Sequence, residues 1–222
     1  MFINKSMTVN VIKITEDKTL AQAREKMGKH GGIRHLPVVD DQNTLIGIIT
    51  DRDIRSALPS SLDVCATDIH AASEKLKVKN AMTKKTVVIT SEGTIQDALL
   101  LTQKHKVGAL PVVDSGNKLI GIISVRDLLR AFINVLGIKE PGTLLCIIVD
   151  DKFGIMKKIT DAIYEENIST GSILVARYWE KNKKAVFPYL LTQNVTGIKR
   201  RFQKLGFQLL DPMDWGIETE EK

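Results

Sequence analysis

The sequence contains one stretch twice: residues 33–55 read IRHLPVVDDQNTLIGIITDRDIR, and residues 107–130 read VGALPVVDSGNKLIGIISVRDLLR. Both copies share LPVVD, a polar turn, and LIGII followed by a hydroxyl residue and, shortly after it, an Arg-Asp pair. The likeness continues upstream, because Met-Thr at residues 7–8 recurs at residues 82–83. Duplicated units of this size usually pack on each other and share a core that neither could close alone. The repeat therefore predicts two similar, mutually packed subdomains.

Each copy predicts the element order β-α-β-β-α. A short apolar alternation comes first, and Thr19 or Thr94 follows it, with Gln or Asp three residues later in the spacing of a capping box. Two short strands then flank the polar turn, and a final helix is stopped by Pro59 in one copy and by Gly137 in the other. The predicted strands are Pro37–Val39, Leu45–Ile49, Pro111–Val113 and Leu119–Ile123, and the predicted final helices are Asp51–Leu58 and Val125–Leu136.

Composition excludes several classes of protein. A chain of 222 residues that is 43% hydrophobic and 26% charged is typical of a globular protein of one or two domains. No run approaches the roughly 18 apolar residues of a membrane helix, and the first residues lack a signal-peptide core, so we expect a cytoplasmic protein with no membrane partner. Cys65 and Cys146 lie far apart and give no metal-binding spacing. No nucleotide-hydrolase, dinucleotide, zinc-protease or serine-hydrolase motif is present, so we expect no enzymatic activity.

The formal net charge of +6 raises the question of nucleic acid as a partner. The densest basic groups, at residues 181–184 and 199–201, have acidic or apolar neighbours, and aromatic residues for base stacking are scarce. We therefore interpret these charges as a solvated surface. The alternative is an interaction or nucleic-acid-associated protein that uses the basic surface and keeps the repeats only as a scaffold.

The repeated unit, with LPVVD and GII followed by TDRD or SVRD, resembles the cystathionine-β-synthase (CBS) domain, and the tandem resembles a CBS pair. The resemblance covers residues 1 to about 136. It implies a cleft between the repeats that binds an adenosine-containing ligand, with Thr50 and Ser124 at phosphate or ribose and with Asp53 and Asp127 at the ribose hydroxyls. By the same resemblance, Ile48 and Ile122 pack on the adenine, and the opposite wall consists of Ile33, Arg34, His35, Val107, Gly108 and Ala109.

The residues themselves leave two interpretations of this motif open. A hydroxyl followed three residues later by a carboxylate, at the start of a helix, suits a ribose phosphate because exposed N–H groups and the helix dipole point there. The same spacing also predicts a plain capping box. Two copies, each with an arginine beside the aspartate (Arg52 and Arg126), favour the ligand.

Charge and size at the clefts suggest which ligand binds. Arg34 and Arg52 favour a phosphate-bearing ligand over an uncharged nucleoside or S-adenosylmethionine, since guanidinium matches phosphate oxygens in a fork. We expect AMP, ADP or ATP rather than NAD or S-adenosylmethionine. The second repeat has Gly108-Ala109 where the first has Arg34-His35, so the two clefts differ in preference or only one is occupied. His35 either contacts phosphate or hydrogen-bonds a neighbouring backbone group.

A different pattern follows residues 137–142, which contain Pro and Gly. The predicted order is β-α-β-β-α-β, the ferredoxin-like split motif, with Ile198, Phe202 and Leu205 as the apolar face of its second helix. This part resembles an ACT domain, a regulatory module that pairs with itself and binds amino acids near a D-x-P-G turn. Asp150 and Gly154 are the corresponding candidates here, although Phe153 stands where that pattern has proline.

The fold class is therefore α+β, a CBS pair followed by a ferredoxin-like domain of ACT type. The order of domains resembles regulators of the acetoin-utilisation B type, which implies a homodimer that controls an unidentified target enzyme. The predicted boundaries are 1–58 for the first repeat, 59–78 for a linker with about one helical turn, 79–136 for the second repeat, 137–143 for a hinge, 144–215 for the ACT-like domain and 216–222 for an acidic tail.

Overall fold

The computed structural model describes residues 2–59 and 66–210. The chain forms two units that divide between Ala131 and Phe132, called unit 1 and unit 2 below. Unit 1 holds both repeats. Cys65 and the predicted acidic tail at residues 216–222 lie outside the described residues.

The elements of unit 1 follow the predicted order, with a 3-10 turn at Ile3–Lys5 before them. The strands flanking the polar turns are confirmed, and in each repeat these two strands pair antiparallel. The first repeat has α1 (Leu20–Lys29), β1 (His35–Val39), β2 (Leu45–Thr50) and α2 (Asp51–Ala57). Next come α3 (Ala66–Lys75) and α4 (Val78–Ala81), and the second repeat has β3 (Ile89–Thr90), α5 (Ile95–His105), β4 (Ala109–Val113), β5 (Leu119–Ser124) and α6 (Val125–Leu136).

The first helix of each repeat starts at the predicted cap. The Thr19 hydroxyl accepts a hydrogen bond from the Gln22 N–H at 3.2 Å, and the Gln22 side chain accepts one from the Thr19 N–H at 3.1 Å. Thr94 and Asp97 form the same capping box before α5. These bonds satisfy backbone N–H groups that the first turn of a helix leaves without partners.

The opening strand of each repeat is shorter than predicted. In the first repeat it shrinks to one parallel bridge, in which Ile14 bonds on both sides of Val38. In the second repeat it is the two-residue β3, parallel to β4. The Met-Thr dipeptide that precedes each opening strand pairs instead with the other repeat, through Thr8 to Ile122 and through Thr83 to Ile48.

The two repeats are interlocked. Thr8 pairs with β5 of the second repeat, and Thr83 pairs with Ile48 on β2 of the first. This crossing explains the glycine of LIGII, because a Cβ at Gly47 would lie 2.9 Å from the Thr83 carbonyl oxygen. Ile3 fills the core of the second repeat, and Val78 fills the core of the first. Each repeat is thus completed by the segment that precedes the other.

The polar turns join the repeats at one end. Asn43 and Asn117 both adopt left-handed backbone conformations, with φ of 63° and 58°. Each side-chain amide donates to a backbone carbonyl of the opposite repeat, Asn43 to Leu119 at 2.9 Å and Asn117 to Leu45 at 3.0 Å. Below these turns, Leu45 and Leu119 are buried together with Val39 and Val113 in a small shared core, as the repeat predicts.

The segment between the repeats contains more helix than the single turn predicted from the sequence. Residues 60–65 lie outside the described part, but α3 then runs for ten residues. Ile69, Ala72 and Leu76 recur at helical spacing and are partly buried, while Ser73 is buried and donates to the His70 carbonyl at 2.7 Å. Because this apolar face packs on unit 1, α3 is a part of its fold.

Unit 2 has the predicted element order. Its elements are β6 (Thr143–Leu144), β7 (Cys146–Asp150), α7 (Ile155–Glu165), β8 (Thr170–Glu180), β9 (Lys183–Leu190), α8 (Thr196–Lys204) and β10 (Gln208–Leu210). β9 pairs antiparallel with β8 on one side and with β6 and β7 on the other, and β10 pairs antiparallel with β7.

The core of unit 2 lies on one face of this sheet. Ile147 and Val149 of β7 are buried with Ile159 of α7 and Phe202 of α8. Cys146 and Ile148 alternate with them and point to the opposite face, as in any strand. Leu205 was predicted to join the core but is 44% exposed, because α8 ends at Lys204 and Leu205 is its C-cap.

The predicted hinge is hydrogen-bonded within unit 2. The Tyr189 hydroxyl donates to the Glu140 carbonyl at 2.6 Å, and the Ser172 hydroxyl donates to the Leu136 carbonyl at 2.9 Å. Thr143 begins β6 and donates to the Thr192 carbonyl. The end of α6 and the residues after it are therefore anchored to the sheet of unit 2. Within the described residues, none of the helices is both long and apolar enough to cross a membrane.

Candidate functional site

A cavity of about 710 Å³ opens where the first repeat passes from β2 to α2, and we call it cleft 1. Both repeats contribute to it, because the Thr83–Val87 segment and the end of α5 lie opposite α2. The lining includes nine of the residues predicted in the sequence analysis, namely Arg34, His35, Ile48, Thr50, Arg52, Asp53, Val107, Gly108 and Ala109.

A smaller cavity of about 430 Å³ lies at the equivalent position of the second repeat, and we call it cleft 2. Its wall again combines both repeats, because Thr8 to Ile12 lie beside β5. The predicted residues found there are Ile33, Arg34, His35, Gly108, Ala109, Ile122, Ser124, Arg126 and Asp127. All fourteen residues proposed from the sequence for unit 1 therefore line one cleft or both.

At cleft 1 the hydroxyl and carboxylate of the motif form a capping box. The Thr50 N–H and hydroxyl both donate to Asp53 Oδ2, at 2.8 and 2.7 Å, and the Asp53 N–H donates back to the hydroxyl at 3.1 Å. The capping interpretation is confirmed. It still leaves Asp53 Oδ1 with no hydrogen-bond partner among the residues that the structure describes, and Asp53 lines the cleft.

Cleft 2 repeats these bonds with one addition. The Ser124 N–H and hydroxyl donate to Asp127 Oδ2, at 3.0 and 2.6 Å. Here the second carboxylate oxygen, Asp127 Oδ1, forms an ion pair with Arg130 at 3.2 Å. The carboxylate of cleft 2 is therefore more fully engaged by the protein than its counterpart in cleft 1.

The wall that the clefts share is asymmetric for a steric reason. Gly108 stands at the position equivalent to Arg34, and a Cβ there would lie 2.8 Å from His35 Nε2. The His35 ring thus occupies the space that a side chain at residue 108 would need. Burial lowers the pKa of His35, the nearby Asp53 carboxylate raises it in part, and Arg34 lowers it further. His35 is consequently a neutral wall group near neutral pH.

A family model for the CBS domain matches residues 3–60 and 78–134, which together make up more than half of the chain. The chain belongs to the CBS domain family. Its CBS pair is 36% identical over 121 residues to the inosine-5'-monophosphate dehydrogenase of Methanocaldococcus jannaschii. That match covers 54% of this chain but only 21% of the dehydrogenase, so this chain spans about a fifth of that enzyme.

Two solved structures have the same CBS-pair fold. One is a Vibrio cholerae protein provisionally assigned to acetoin utilization, which is 28% identical with a TM-score of 0.52, over 64% of this chain and 98% of that one. The other is CBSX2 of Arabidopsis thaliana in complex with AMP. It is also 28% identical, with a TM-score of 0.50, over 60% of this chain and 96% of that one.

Several lining residues of the CBS pair were missed in the sequence. Lys85 and Lys106 line cleft 1, and Asn10 and Gly32 line cleft 2. Lys85 and Asn10 lie at the same distance after the recurring Met-Thr dipeptide, and this repeat was the signal that pointed to them. Lys106 and Gly32 directly precede the repeated stretch, and only the tertiary structure brings them to the clefts.

The candidate ligand turn of unit 2 lies at the end of β7. Asp150 is exposed and forms an ion pair with Lys152 at 2.8 Å. The hydrogen bond to Lys152 lowers the pKa of the Asp150 carboxyl. Gly154 precedes α7 with φ of 81°, a conformation that glycine adopts without strain, and Phe153 is fully exposed. An amino-acid contact at Asp150 and Gly154 stays a prediction.

Neither cleft has the residues of a metal centre. Across residues 2–59 and 66–210, no group of three or more His, Cys, Asp or Glu side chains could hold a metal ion. The chemistry that the clefts offer is recognition, with cations for phosphate, carboxylates for hydroxyl donors and apolar walls for a flat ring.

Proposed function

We propose that this chain is a non-catalytic regulatory protein whose CBS pair binds an adenine nucleotide, namely AMP, ADP or ATP. The observation that carries the proposal is the geometry of cleft 1. There, a carboxylate with one oxygen unpaired among the described residues faces the same cavity as Arg34 and Arg52, which form no ion pair among those residues. A ribose with its phosphate matches this combination of an acceptor and cations.

Each part of the nucleotide has a counterpart. Ribose hydroxyls would donate to Asp53 Oδ1, and phosphate oxygens would accept from the guanidinium groups. Ile48, which is 9% exposed, and the partly buried Val107 offer an apolar wall for adenine. The AMP complex of CBSX2 supports an adenosine ligand, and the Vibrio cholerae relative supports a role in acetoin or related carbon metabolism.

Unit 2 is proposed to be an ACT-like regulatory domain. Its support is the strand order β10-β7-β9-β8 with two helices packed on one face, the arrangement of the ferredoxin-like split motif. The turn at Asp150 lacks the proline of the amino-acid-binding pattern. We therefore propose the module without assigning its ligand.

Helix α6 is the proposed route between nucleotide and unit 2. It begins beside Ser124 and Asp127 of cleft 2 and ends at Leu136, whose carbonyl is held by Ser172. A ligand shifts a conformational equilibrium only by its differential affinity for the two states, so it must favour one position of this helix. Hydrogen exchange with and without AMP tests the route. Protection confined to the clefts, with residues 132–160 unchanged, would leave the two units uncoupled.

A homodimer is proposed from an exposed apolar face. Val125 and Leu129 of α6 are 47% and 60% exposed, although their equivalents in the first repeat, Asp51 and Arg55, form a polar ion pair on α2. Twofold pairing of identical faces is the commonest symmetric state of soluble oligomers and would cover these side chains. The target enzyme that such a dimer controls is unidentified.

Titration calorimetry of the full chain with AMP, ADP and ATP at 0.15 and 0.5 M KCl tests the main proposal. We expect saturable binding of at least one nucleotide at both salt concentrations. No binding of any of them would overturn it. If oligonucleotides bound instead, with a steep dependence on salt, the chain would belong with nucleic-acid-associated proteins.

A further inference from the structure

The duplication allows the two clefts to be compared position by position. The segment after Met-Thr places Lys85 in cleft 1 and Asn10 at the equivalent position of cleft 2. The residue before the repeated stretch is Lys106 in cleft 1 and Gly32 in cleft 2. At two matched positions, therefore, cleft 1 has a lysine where cleft 2 has an uncharged residue.

The ion pairs widen this difference. In cleft 1, Arg55 is paired with Asp51, and four other lining cations form no ion pair among the described residues: Arg34, Arg52, Lys85 and Lys106. In cleft 2, Arg130 is paired with Asp127. Among the described residues, the cations of cleft 2 that form no ion pair are only Arg126 and Arg34, the latter shared by both clefts.

Lys106 has a backbone conformation that lysine does not prefer. Its φ is 52°, in the left-handed region, where a residue with a side chain costs roughly 1–2 kcal/mol. The first repeat uses Gly32 at this position, with φ of 70°. The turn itself would accept glycine at residue 106, so the backbone does not require a lysine there.

The volumes of the two clefts favour the same ligand as their charges. Cleft 1 encloses about 710 Å³ and cleft 2 about 430 Å³. Each added phosphate brings more negative charge and more volume, and ammonium groups bind phosphate oxygens as mobile point charges. The larger cleft, with two additional lysines, is the one suited to a chain of phosphates.

We infer that cleft 1 selects an adenosine ligand with two or three phosphates over one with a single phosphate, and that Lys85 and Lys106 make the selection. This inference rests on the proposed binding of adenine nucleotides and adds the ligand class and the residues that distinguish it. Cleft 2, which lacks both lysines, has no such preference.

The test transplants the cleft 2 residues into cleft 1 as Lys85→Asn with Lys106→Gly. Calorimetry of the full chain with ATP and with AMP gives the ratio of the two affinities. Loss of a hydrogen bond to a charged group lowers affinity by roughly tenfold or more. We therefore expect the affinity for ATP to fall about 10- to 100-fold. AMP binding should change less than about threefold, because its single phosphate is held by the arginines.

The matched control is Lys84→Gln with Lys104→Gln, which removes the same charge from exposed lysines outside the cleft lining. We expect this control to leave the ratio of ATP to AMP affinity within about twofold, since exposed charges outside contact distance are screened by salt. The reciprocal change, Asn10→Lys, should raise the preference of cleft 2 for ATP. Circular dichroism checks that each variant is folded.

The outcomes separate the two proposals. If wild-type protein binds ATP and AMP but the double variant loses both equally, or neither, the selection by Lys85 and Lys106 is wrong and nucleotide binding stands. The same conclusion follows if the control pair lowers the ratio as much as the double variant. If the wild-type chain binds no adenine nucleotide at all, the proposed function is wrong and this inference falls with it.

Discussion

Clefts 1 and 2 share one hydrogen-bonded frame and differ in the charges that surround it. Both have the hydroxyl-carboxylate cap. In both, the first N–H of the final helix donates to a backbone carbonyl two residues before the repeated LPVVD, from Asp51 to Arg34 and from Val125 to Gly108. The lysines, by contrast, are found in cleft 1 alone among the matched positions. The residues that bond to the backbone at the cap are thus of the same kind in both copies, whereas two of the lysines that line cleft 1 have uncharged counterparts in cleft 2.

The largest expected effect concerns the helices that follow the caps. Val125→Asp with Leu129→Arg copies the ion pair of α2 onto α6, and burying those charges in an apolar interface would cost several kcal/mol. We expect the dimer to dissociate, with its dissociation constant raised at least about 100-fold. Light scattering at micromolar concentration gives the mass.

Leu100→Arg is the control for this change, since Leu100 is 64% exposed on α5 and lies outside the α6 face. It should leave the dimer intact. A wild-type mass of 24.7 kDa, that of the single chain, would contradict the dimer and the assignment of the α6 face together.

The second prediction compares the carboxylates. Asp53→Ala should weaken nucleotide binding at cleft 1 by about 1.5–3 kcal/mol, the range for a hydrogen bond to a charged group. Asp127→Ala should cost less at cleft 2, because Arg130 already engages that carboxylate. Both variants lose the same capping bonds, so their thermal stabilities serve as internal controls and should fall alike. Unchanged affinities in both would reduce the motif to a helix cap.

The third prediction concerns the matched left-handed positions. Gly32→Ala should lower the free energy of unfolding by about 1 kcal/mol, and Lys106→Gly should raise it by up to about 1 kcal/mol. Urea denaturation measures both. Gly28→Ala, inside α1 with open space around it, is the control of opposite sign and should stabilise by about 1 kcal/mol. Equal effects at residues 28 and 32 would show that the backbone at Gly32 is unstrained.

The smallest effect is that of pH at the shared wall. Burial lowers the pKa of His35, the Asp53 carboxylate raises it in part, and Arg34 lowers it further. The histidine therefore binds a proton more readily in the unfolded chain than in the folded one. Stability should therefore decline as the pH falls below about 6.5, the unfolded value, until the folded histidine also titrates. His35→Ala introduces the alanine that the second repeat has at the equivalent position, residue 109. This change should flatten the slope in thermal melts between pH 7.5 and 5.5. A slope equal to that of wild type would assign the pH dependence to other groups.

Much of unit 1 could be predicted because its signals are local or repeated. Caps at Thr19 and Thr94 bond residues three apart, and the flanking strands alternate within a few positions. Helix α3 was missed although Ile69, Ala72 and Leu76 have helical spacing, because the polar residues around them resemble a linker. The opening strands were overpredicted for a different reason. The residues directly before them, Thr8 and Thr83, pair with the other repeat, and spacing within one repeat contains no information on that partner.

The sequence by itself determined the duplicated fold, because caps, turns and core positions act over short distances and occur twice. Its resemblance to the CBS domain, and not local chemistry alone, indicated the fourteen residues that line the clefts. Only the tertiary structure decided that Thr83 and Lys85 of the second repeat line the cleft of the first. It also decided that the His35 ring lies beside Gly108, where a Cβ would be 2.8 Å from His35 Nε2. Both facts depend on the packing of segments more than 30 residues apart, and no local pattern of residue types specifies which of two equivalent surfaces such a segment will meet.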